Sequence, residues 1–466
     1  MKSKTIHKLS GMLCIAAIIA AAAVATAEDL GSEFVSTQGT HFIWRDAPFY
    51  YAGTNCYYLG YFSADPVRRA SIDDLLDLYV QRGMKVIRVW AFNDGGWNID
   101  GYTNEWAYQQ TPTSIYNETA LQGLDYCVAE AAKRDIKILL AFTNQWDDYG
   151  GMNWYVDASP TAFSHDDFYI DPTCKDWYKA RMEFIVNRRN TFNDVLYKND
   201  PTIFAWELAN EPWCTSDPRC QYGTFRAWVS EMSTYLRGLD PNHMITIGVV
   251  GFYNRDHAGE WPAGHTWLYD GYAGTDFISD HQLPNIDFCT VHLYPDHWNM
   301  ADKIPAITQF LQHHIDDCTS VIHKPLIMEE FGKREPNREA VLETWMQTVY
   351  ASAVGGGAAA GWNYWMIEAE GSGHDDTFSL LPSDPSDAPA LNLLTAEAVK
   401  MNALTAPPQD INADGIVDIL DLLRVRNNLN RTPGSDGYIR ADCNRDGRIN
   451  ILDLINVRNA LRLTWP

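Results

Sequence analysis

Short runs of apolar, β-branched and aromatic residues alternate with longer amphipathic stretches from about residue 34 to residue 403. The longer stretches repeat apolar residues at helical spacing, as in residues 71–83 and 123–135. The short runs predict eight buried strands, at residues 50–55, 86–92, 137–144, 203–212, 244–251, 286–295, 325–332 and 358–367. Strands that alternate with helices in this way predict an α/β fold, and eight repeats favour a (β/α)8 TIM barrel.

A doubly wound open sheet is the alternative to a barrel. Open sheets of this class often carry a glycine-rich phosphate-binding turn after an early strand. No GxGxxG or P-loop sequence follows an early strand here. We therefore expect a barrel domain in residues 28–404.

The first 27 residues have the pattern of an export signal. Three lysines precede an apolar run at residues 13–24, and the run ends in Ala-Thr-Ala at residues 25–27. A membrane anchor, the alternative, would need about 18 or more apolar residues. We expect residues 1–27 to be a signal peptide that is cleaved after Ala27, and the mature protein to be secreted and extracellular.

The last part of the chain has a different character. A proline-rich stretch at residues 405–409 predicts a stiff linker. Beyond it, the sequence DxNxDG occurs twice, 32 residues apart, and each copy is followed by an apolar helix pattern. Oxygen ligands at loop positions 1, 3, 5, 7, 9 and 12 suit a calcium ion. The predicted ligands are Asp410, Asn412, Asp414, Ile416, Asp418 and Asp421 in the first loop, and Asp442, Asn444, Asp446, Arg448, Asn450 and Asp453 in the second.

Ile416 and Arg448 would contribute their backbone carbonyls at position seven. A single such loop can be an ordinary turn, but two full-length copies at a fixed offset favour calcium. Residues 410–466 are therefore predicted to form a small all-α domain with two Ca²⁺ sites. No helix pattern precedes either loop, unlike in an EF-hand.

Charge and cysteine content restrict the function further. The chain has 60 Asp+Glu against 36 Lys+Arg, a net charge of -24. Such a charge argues against binding nucleic acid or an anionic membrane, and leaves neutral ligands, cations and proteins. The cysteines are too thinly spread for a small disulfide scaffold; Cys214 and Cys220 bracket a short loop and form either a disulfide or two free thiols.

Two acidic motifs follow predicted strands of the barrel. The fourth strand ends in WELANEP, with Asn210 and Glu211 at its exit, and the seventh ends in MEEFG, with Glu329 and Glu330. Active sites of this fold lie at the carboxyl ends of the strands. Two carboxylates across one barrel mouth are what glycosidic cleavage requires. Strand alternation places Glu329 and Glu330 on opposite faces, so we expect only one of them in the mouth.

Further polar and aromatic residues end neighbouring strands. An arginine beside a carboxylate keeps it ionised, and a histidine or tyrosine can separate the pKa values of two carboxyls. Aromatic side chains offer faces on which sugars stack, although each of them could equally belong to the barrel core. The candidates at the mouth are Arg88, Asn144, Trp146, His292, Tyr294, Trp362 and Trp365.

WELANEP, EEFG, VIRVW and VHLYP, together with AGTNCYYLGY, NQWDDYGGMNWYV and RRNTFNDVLYKNDPTIFAWELANEP, span nearly the whole barrel. With these motifs the chain resembles glycoside hydrolase family 5, and within it the endo-β-1,4-mannanases. The resemblance implies that Glu211 is the acid/base, that Glu330 is the nucleophile and that Glu329 is structural. It also implies retention of configuration, for which the carboxyl groups lie about 5–5.5 Å apart.

The same resemblance implies roles for the surrounding residues. Asn210 would hold the 2-hydroxyl of the cleaved sugar, Arg88 and Tyr294 would hold Glu330, and His292 would lie near Glu211. Trp365 matches the aromatic floor beneath that sugar, with Trp362 as its rival. Trp213 departs from the family pattern, because relatives often have an arginine directly after NEP.

Residues 410–466 resemble a type I dockerin, which implies binding to a cohesin-type module. Loop positions ten and eleven are Ile419-Leu420 and Ile451-Leu452, where many dockerins have hydroxyl residues. These apolar pairs fit either a partner surface or core packing. The expected function is hydrolysis of mannan, glucomannan or galactomannan; the alternatives are an endoglucanase on the same machinery and a catalytically dead, calcium-dependent binding protein.

Overall fold

The computed structural model describes residues 32–95, 106–215, 220, 223–255, 264–372 and 376–464. The predicted signal peptide, residues 1–27, lies outside this range. The described chain forms two compact units, Phe34–Pro407 and Pro408–Thr464. Thr405 bonds through its side chain to the backbone of Tyr50, so the predicted linker begins on the larger unit. Among the described residues, no helix has the length and apolarity needed to cross a membrane.

Eight parallel strands form the barrel of the larger unit, so the predicted (β/α)8 architecture is confirmed. They pair in the order β8-β7-β6-β5-β4-β11-β10-β9. Backbone hydrogen bonds from Asp287 to Ile245 (2.8 Å) and from His292 to Val250 (3.0 Å) join the two ends of this order. The barrel strands are β4 (Tyr51–Asn55), β5 (Met84–Trp90), β6 (Lys137–Ala141), β7 (Ile203–Glu207), β8 (Met244–Thr246), β9 (Cys289–Leu293), β10 (Leu326–Phe331) and β11 (Ala359–Tyr364).

Helices cover the outside of the barrel, and their sequences explain where they begin. Asn117 and Asp171 cap two of them through hydrogen bonds to the amides of Ala120 and Cys174. The helices of the larger unit are α1 (Leu59–Phe62), α2 (Arg69–Gln81), α3 (Glu118–Lys133), α4 (Gly151–Ala158), α5 (Pro172–Val186), α6 (Thr224–Leu239), α7 (Phe277–His281), α8 (Ile304–Asp317), α9 (Arg338–Val354) and α10 (Ala388–Ala403).

A three-stranded antiparallel sheet precedes the barrel and closes one of its ends. It consists of β1 (Ser36–Gln38), β2 (His41–Trp44) and β3 (Ala47–Phe49). Phe42 of β2 packs edge-on against Phe204 and Phe288, with ring centroids 5.2 and 5.3 Å apart. Both partners lie at the amino ends of barrel strands. The sheet therefore seals that end, and the barrel opens where the strands finish.

The smaller unit repeats one loop-helix element. The helices are α11 (Ile419–Asn428) and α12 (Ile451–Ala460). Asp418 and Asn450 cap them by accepting hydrogen bonds from the amides of Leu420 (2.7 Å) and Leu452 (2.8 Å). The predicted duplication is therefore present in the backbone as well as in the sequence.

Candidate active site

A cavity of about 680 Å³ opens at the carboxyl ends of the barrel strands. Asn210, Glu211, Tyr294 and Glu330 line it, together with aromatic residues from several loops. Cavities of this size accommodate small ligands or part of a larger one. The two predicted acidic motifs therefore meet in one opening, as expected from the strand ends.

The loop after β7 places Glu211 in the cavity. Glu211 has a φ of 51°, which is uncommon for any residue other than glycine, asparagine or aspartate. Its amide donates to the carbonyl of Gly248 at 2.8 Å. A Cβ atom at Gly248 would lie 2.3 Å from Glu207 Oε1, so this close approach requires glycine. Strained conformations of this kind persist where the surrounding structure enforces them, often at functional sites.

Both oxygens of the Glu211 carboxylate accept hydrogen bonds. His292 Nδ1 lies 2.8 Å from Oε1, and the indole Nε1 of Trp146 lies 2.7 Å from Oε2. His292 is fully buried, whereas Trp146 is 45% exposed. The carboxylate is thus held from the barrel interior on one side and from the surface on the other.

Glu330 faces Glu211 from β10. Tyr294 donates to Glu330 Oε2 at 2.9 Å, and Arg88 Nη1 donates to Oε1. His292 Nδ1 lies 3.6 Å from Glu330 Oε2. One oxygen of Glu330, one oxygen of Glu211 and a ring nitrogen of His292 lie within 4.8 Å of one another.

The expectation that Glu329 and Glu330 point to opposite faces is wrong. Glu329 Oε2 lies 3.1 Å from His292 Nε2, and Glu329 Oε1 lies 3.8 Å from Arg88 Nε, so both carboxyls reach the same buried groups. The register between β10 and β9 shifts between Met328 and Glu330, which breaks the strict alternation. Only Glu330 lines the cavity, as expected.

Arg88 is the centre of this network. It is 1% exposed, and its guanidinium contacts Glu207 through Nε and Nη2, both at 2.6 Å. Nη2 also donates to Asn210 Oδ1 at 2.6 Å, and Nη1 donates to Asn55 Oδ1 at 3.2 Å as well as to Glu330. The planar fork of an arginine suits this set of partners, whereas a lysine offers a single point charge.

Proton affinities in the site follow from burial and these contacts. Burial, only partly offset by Arg88, raises the pKa of Glu207 to about 8. Burial also raises the pKa of Glu330 against the opposing effect of His292 and Arg88. Burial acts on Glu211 too, but the hydrogen bonds from His292 and Trp146 outweigh it and lower the pKa of Glu211. The proton affinity of Glu330 therefore exceeds that of Glu211 in the free protein.

His292 carries a positive charge at neutral pH. Burial disfavours the imidazolium, but the carboxylates of Glu330, Glu211 and Glu329 raise the pKa of His292 to about 10. Both of its ring nitrogens face carboxylate oxygens, at 2.8 and 3.1 Å. With both nitrogens protonated, the ring donates on both sides and is fixed in orientation.

Aromatic side chains form two walls of the cavity. Near β4 and β11, Trp365 stacks on Tyr57, with ring centroids 5.6 Å apart and planes at 12°. Beyond Glu211, Trp213 stacks on Phe252 at 5.7 Å and meets Trp146 edge-on at 5.6 Å. The first wall comprises Tyr57, Trp90, Tyr149 and Trp365; the second comprises Trp146, Trp213, Phe252, Trp267 and Trp298.

The structure separates the two rival tryptophans. Trp365 lines the cavity, and its indole N–H donates to Asp376. Trp362 is fully buried and packs edge-on against Phe331 at 6.0 Å, away from the cavity lining. The interpretation of Trp362 as a ligand-binding residue is therefore corrected: its side chain is on the core side of β11.

The other predicted site residues differ in whether their side chains line the cavity. Asn144 lines the cavity and accepts a hydrogen bond from Asn210 Nδ2 at 2.8 Å. Arg88 and His292 are buried behind the carboxylates and are absent from the lining. The grouping of these two residues among the candidates at the mouth is therefore corrected: they lie behind Glu330 and Glu211 and contact them, in the way that the resemblance implies.

Sequence reasoning missed several residues of the site. Asp376 and Phe378 line the cavity from the loop after β11, and His297 lines it from the loop after β9. Glu207 is the first acid of WELANEP and could have been noticed as a buried charge that needs a partner. Asp376 lies in a polar loop whose sequence gives no comparable signal.

Cys214 and Cys220 form a disulfide in the loop beyond Glu211, which decides between the two alternatives for this pair. The disulfide closes a short segment next to Trp213. The other cysteines of the described residues, Cys56, Cys127, Cys174, Cys289, Cys318 and Cys443, are buried and free.

Comparison with known proteins agrees with this geometry. Residues 32–378 match the family described as GH family 5 beta-mannosidase-like. The chain belongs to glycoside hydrolase family 5. Mannan endo-1,4-beta-mannosidase 7 of Arabidopsis thaliana is 38% identical over 387 residues, which cover 80% of this chain and 86% of that protein. Mannan endo-1,4-beta-mannosidase 1 of Oryza sativa subsp. japonica is 36% identical over 373 residues, 76% of this chain and 84% of that protein.

Solved structures give the same result for this family 5 enzyme. The endo-1,4-beta-mannanase from Rhizomucor miehei superposes with a TM-score of 0.68 at 32% identity, covering 79% of this chain and 99% of that one. The endo-beta-1,4-mannanase from Thermotoga petrophila gives 0.66 at 33% identity, covering 76% of this chain and 77% of that one. Residues 408–462 match a type I dockerin domain. The chain is thus a glycoside hydrolase with a dockerin domain.

Replacement of Arg88 should destabilise the family 5 domain in a pH-dependent way. Arg88→Leu removes the guanidinium from three buried carboxyls, those of Glu207, Glu329 and Glu330, and breaking a buried pair costs about 3–5 kcal/mol. Once they are protonated, the carboxyls no longer carry an unpaired buried charge. The loss in free energy of unfolding relative to wild type should therefore become smaller as the pH falls. Denaturant unfolding followed by tryptophan fluorescence, at several pH values, measures it.

Arg134→Leu is the matched control. Arg134 also contacts several acids, Asp77 and Glu130 among them, but its side chain is 17% exposed. Pairs of this kind contribute about 0–1 kcal/mol. A deficit for Arg88→Leu that equals that of Arg134→Leu, or that grows as the pH falls, would contradict the assigned network.

Proposed function

We propose that the chain is a secreted endo-β-1,4-mannanase that cleaves internal bonds of mannan, glucomannan or galactomannan with retention of configuration. The observation that carries this proposal is the pairing of Glu211 and Glu330 across the cavity, with oxygens within 4.8 Å of each other. Inverting enzymes need about 6.5–9.5 Å between their carboxyl groups to admit a water, whereas retaining enzymes need about 5–5.5 Å. The relatives named as mannan endo-1,4-beta-mannosidases support the substrate.

In the proposed mechanism, Glu330 attacks the anomeric carbon while Glu211 protonates the leaving oxygen. The bond from carbon to the leaving oxygen breaks, and a glycosyl ester forms on Glu330. Glu211, now ionised, takes a proton from water, and the resulting hydroxide releases the sugar from Glu330. Tyr294 and Arg88 hold the nucleophile by the hydrogen bonds described above, which fix the orientation of its carboxylate at the cavity.

Binding of a neutral polysaccharide fits the character of the cavity. Trp365, held by Tyr57 and Asp376, offers a flat face beside Glu330. On the Glu211 side, which receives the leaving group, Trp213 replaces the arginine that relatives often carry. Stacking against Trp213 and Phe252 would bind the leaving sugars through their apolar faces, without a charged contact.

The dockerin domain fits two calcium ions. Carboxylate, amide and carbonyl oxygens occur at the same positions of both loops, and such oxygens are what calcium prefers. Asp421 and Asp453 are fully buried at position twelve. Gly415 and Gly447 have φ values of 95° and 79°, which allow the sharp turn at position six. We propose that the twelve predicted ligands hold Ca²⁺ and that the ion stabilises the two loops.

A cohesin-type module is the proposed partner of this domain. Ile419 and Leu420 are 61% and 49% exposed, and Ile451 and Leu452 are 61% and 54% exposed. Core packing, one of the two interpretations of these pairs, is thereby excluded within the described chain. Four exposed apolar side chains at equivalent positions of a duplicated element suit a protein surface of matching apolar character.

A polysaccharide panel tests the activity. Mannan, glucomannan, cellulose and xyloglucan are incubated with the full chain, and reducing ends and viscosity are followed. We expect release from mannan and glucomannan with an early fall in viscosity, because cuts are internal. Faster release from cellulose would favour an endoglucanase, and no release from any of them would favour a dead binding protein.

Glu330→Ala and Glu211→Ala test the two roles. Glu330→Ala should abolish turnover while binding to insoluble mannan persists, because the aromatic walls are unchanged. Azide can fill the space of a missing carboxylate and attack directly. It should give an inverted glycosyl azide with Glu330→Ala and a retained one with Glu211→Ala, as proton NMR of the products distinguishes. The opposite pairing would reverse the assigned roles.

Calorimetric titration tests the calcium sites in the full chain. We expect two Ca²⁺ per chain, and a loss of roughly tenfold or more in affinity when Asp421 and Asp453 are both changed to Asn, because each loop loses a charged ligand. Asp436→Asn, in the same domain but outside both loops, is the control and should bind as wild type does. Equal affinity of the double variant would contradict the proposed sites.

A further inference from the structure

The arrangement that the free enzyme adopts favours the ionised form of Glu211, which cannot donate a proton. The inference developed here rests on the proposed role of Glu211 as the acid. An acid must carry its proton on an oxygen that points to the leaving group. In the free enzyme Oε1 faces His292 Nδ1 at 2.8 Å, and Oε2 accepts the indole N–H of Trp146 at 2.7 Å. N–H groups that donate to both oxygens of a carboxyl stabilise its ionised form, which has no proton to give to a sugar.

Of these two contacts, the one with His292 is fixed. His292 is fully buried, and its second nitrogen faces Glu329 Oε2 at 3.1 Å, so the ring cannot turn without losing a carboxylate partner. Leaving Glu329 or Glu211 without that partner inside the barrel would be costly. The contact on Oε1 therefore persists during the reaction.

The contact with Trp146 is the one that can break. Its side chain is 45% exposed and meets Trp213 only edge-on, at 5.6 Å. It lies on the Glu211 side of the cavity, where the leaving sugar must sit. A sugar there competes with Glu211 for the indole, through its hydroxyls and its stacking face.

We propose that Trp146 is a positioning residue that keeps Glu211 ionised until a sugar on the leaving-group side displaces its indole N–H from Oε2. The released oxygen then takes up a proton from solvent water and passes it to the glycosidic oxygen as the glycosidic bond breaks. The proton affinities in the free enzyme agree, because the hydrogen bond from Trp146 lowers the pKa of Glu211 while the pKa of Glu330 is raised. A sugar on the leaving-group side would raise the proton affinity of Glu211 above that of Glu330. Glu211 would then be protonated and Glu330 ionised, as the attack requires.

NMR of the indole N–H groups tests the displacement directly. Glu330→Ala enzyme labelled with ¹⁵N-tryptophan is titrated with mannohexaose, and the signal of Trp146 is assigned by its loss in Trp146→Phe. An indole that donates to a carboxylate has a low-field proton signal. We expect this signal in the free enzyme and its upfield movement at saturation.

The same spectra separate this inference from the proposed function. Movement of the Trp365 signal reports that the oligosaccharide occupies the cavity. If the Trp365 signal moves and the Trp146 signal stays at low field, displacement of Trp146 is disproved, whereas the proposed mannan substrate is still supported. If neither signal moves, the proposed substrate fails and the displacement of Trp146 by a mannan sugar fails with it.

Kinetics on a truncated substrate give an independent measurement. A methyl β-glycoside of mannotriose has a leaving group too small to reach Trp146, so wild-type enzyme should release methanol with its indole still on Glu211. Trp146→Phe removes the donor, and kcat/KM for methanol release should rise roughly three- to tenfold, the size expected for the net effect of one partly exposed hydrogen bond.

Trp154→Phe is the matched control, because the indole N–H of Trp154 also donates a hydrogen bond, to the carbonyl of Gln110 at 3.1 Å, and Trp154 does not line the cavity. It should give no such rise. On mannohexaose, which fills the leaving-group side, Trp146→Phe should show no gain over wild type. A Trp146→Phe enzyme that is no faster than wild type on the methyl glycoside, or an equal rise in the control, would overturn the proposal.

Discussion

The buried guanidinium of Arg88 is the interaction on which the site depends. All five of its N–H groups have acceptors, on Glu207, Glu330, Asn210 and Asn55. An isolated carboxylate in a barrel interior would not stay charged. One cation with five directed donors ties β4, β5, β7 and β10 together and fixes where two of their carboxyls point. The geometry of the cavity is thus a consequence of how a buried charge is satisfied.

The need to balance the buried negative charge explains the position of His292. Four carboxyls against one guanidinium leave an excess of negative charge, and the imidazolium between Glu211 and Glu329 supplies the second cation. Even so, the four carboxyls outnumber the two cations by two, and burial raises the pKa of Glu207 to about 8. The site therefore holds more acidic groups than its two cations can balance, and burial favours the protonated form of the excess.

Much of this was predictable from the sequence, for physical reasons. Parallel strands buried on both faces appear as continuous apolar runs, so all eight strands were found, although the runs overestimated their length at the carboxyl ends. Those overhanging residues, such as Glu211 after β7, are the ones that leave the sheet and enter the cavity. The duplicated DxNxDG loops were equally local, since their spacing is contained in twelve residues.

What the sequence could not reveal depends on contacts between distant strands. The inward turn of Glu329 follows from the register shift of β10 against β9. The burial of Trp362 and the exposure of Trp365, three residues apart, follow from where β11 ends. The exposure of Ile419 and Leu420 follows from what the helix α11 packs on, and an apolar pair in a sequence suits a core and a partner surface equally well.

The degree of burial separates the residues of the site into two groups with different roles. Arg88 and His292 are shielded from water, and their contacts are strong, directional and hard to break. Trp146 and the tryptophans of the second wall are partly exposed, and their contacts with the protein are weak enough to be exchanged for contacts with a sugar. The buried Arg88 and His292 therefore fix the positions of the carboxyls without contacting a ligand. The partly exposed tryptophans contact the ligand and can be displaced by it. Glu211 lies where the two sets meet, with one oxygen bound to each, which makes it the residue through which binding can act on chemistry.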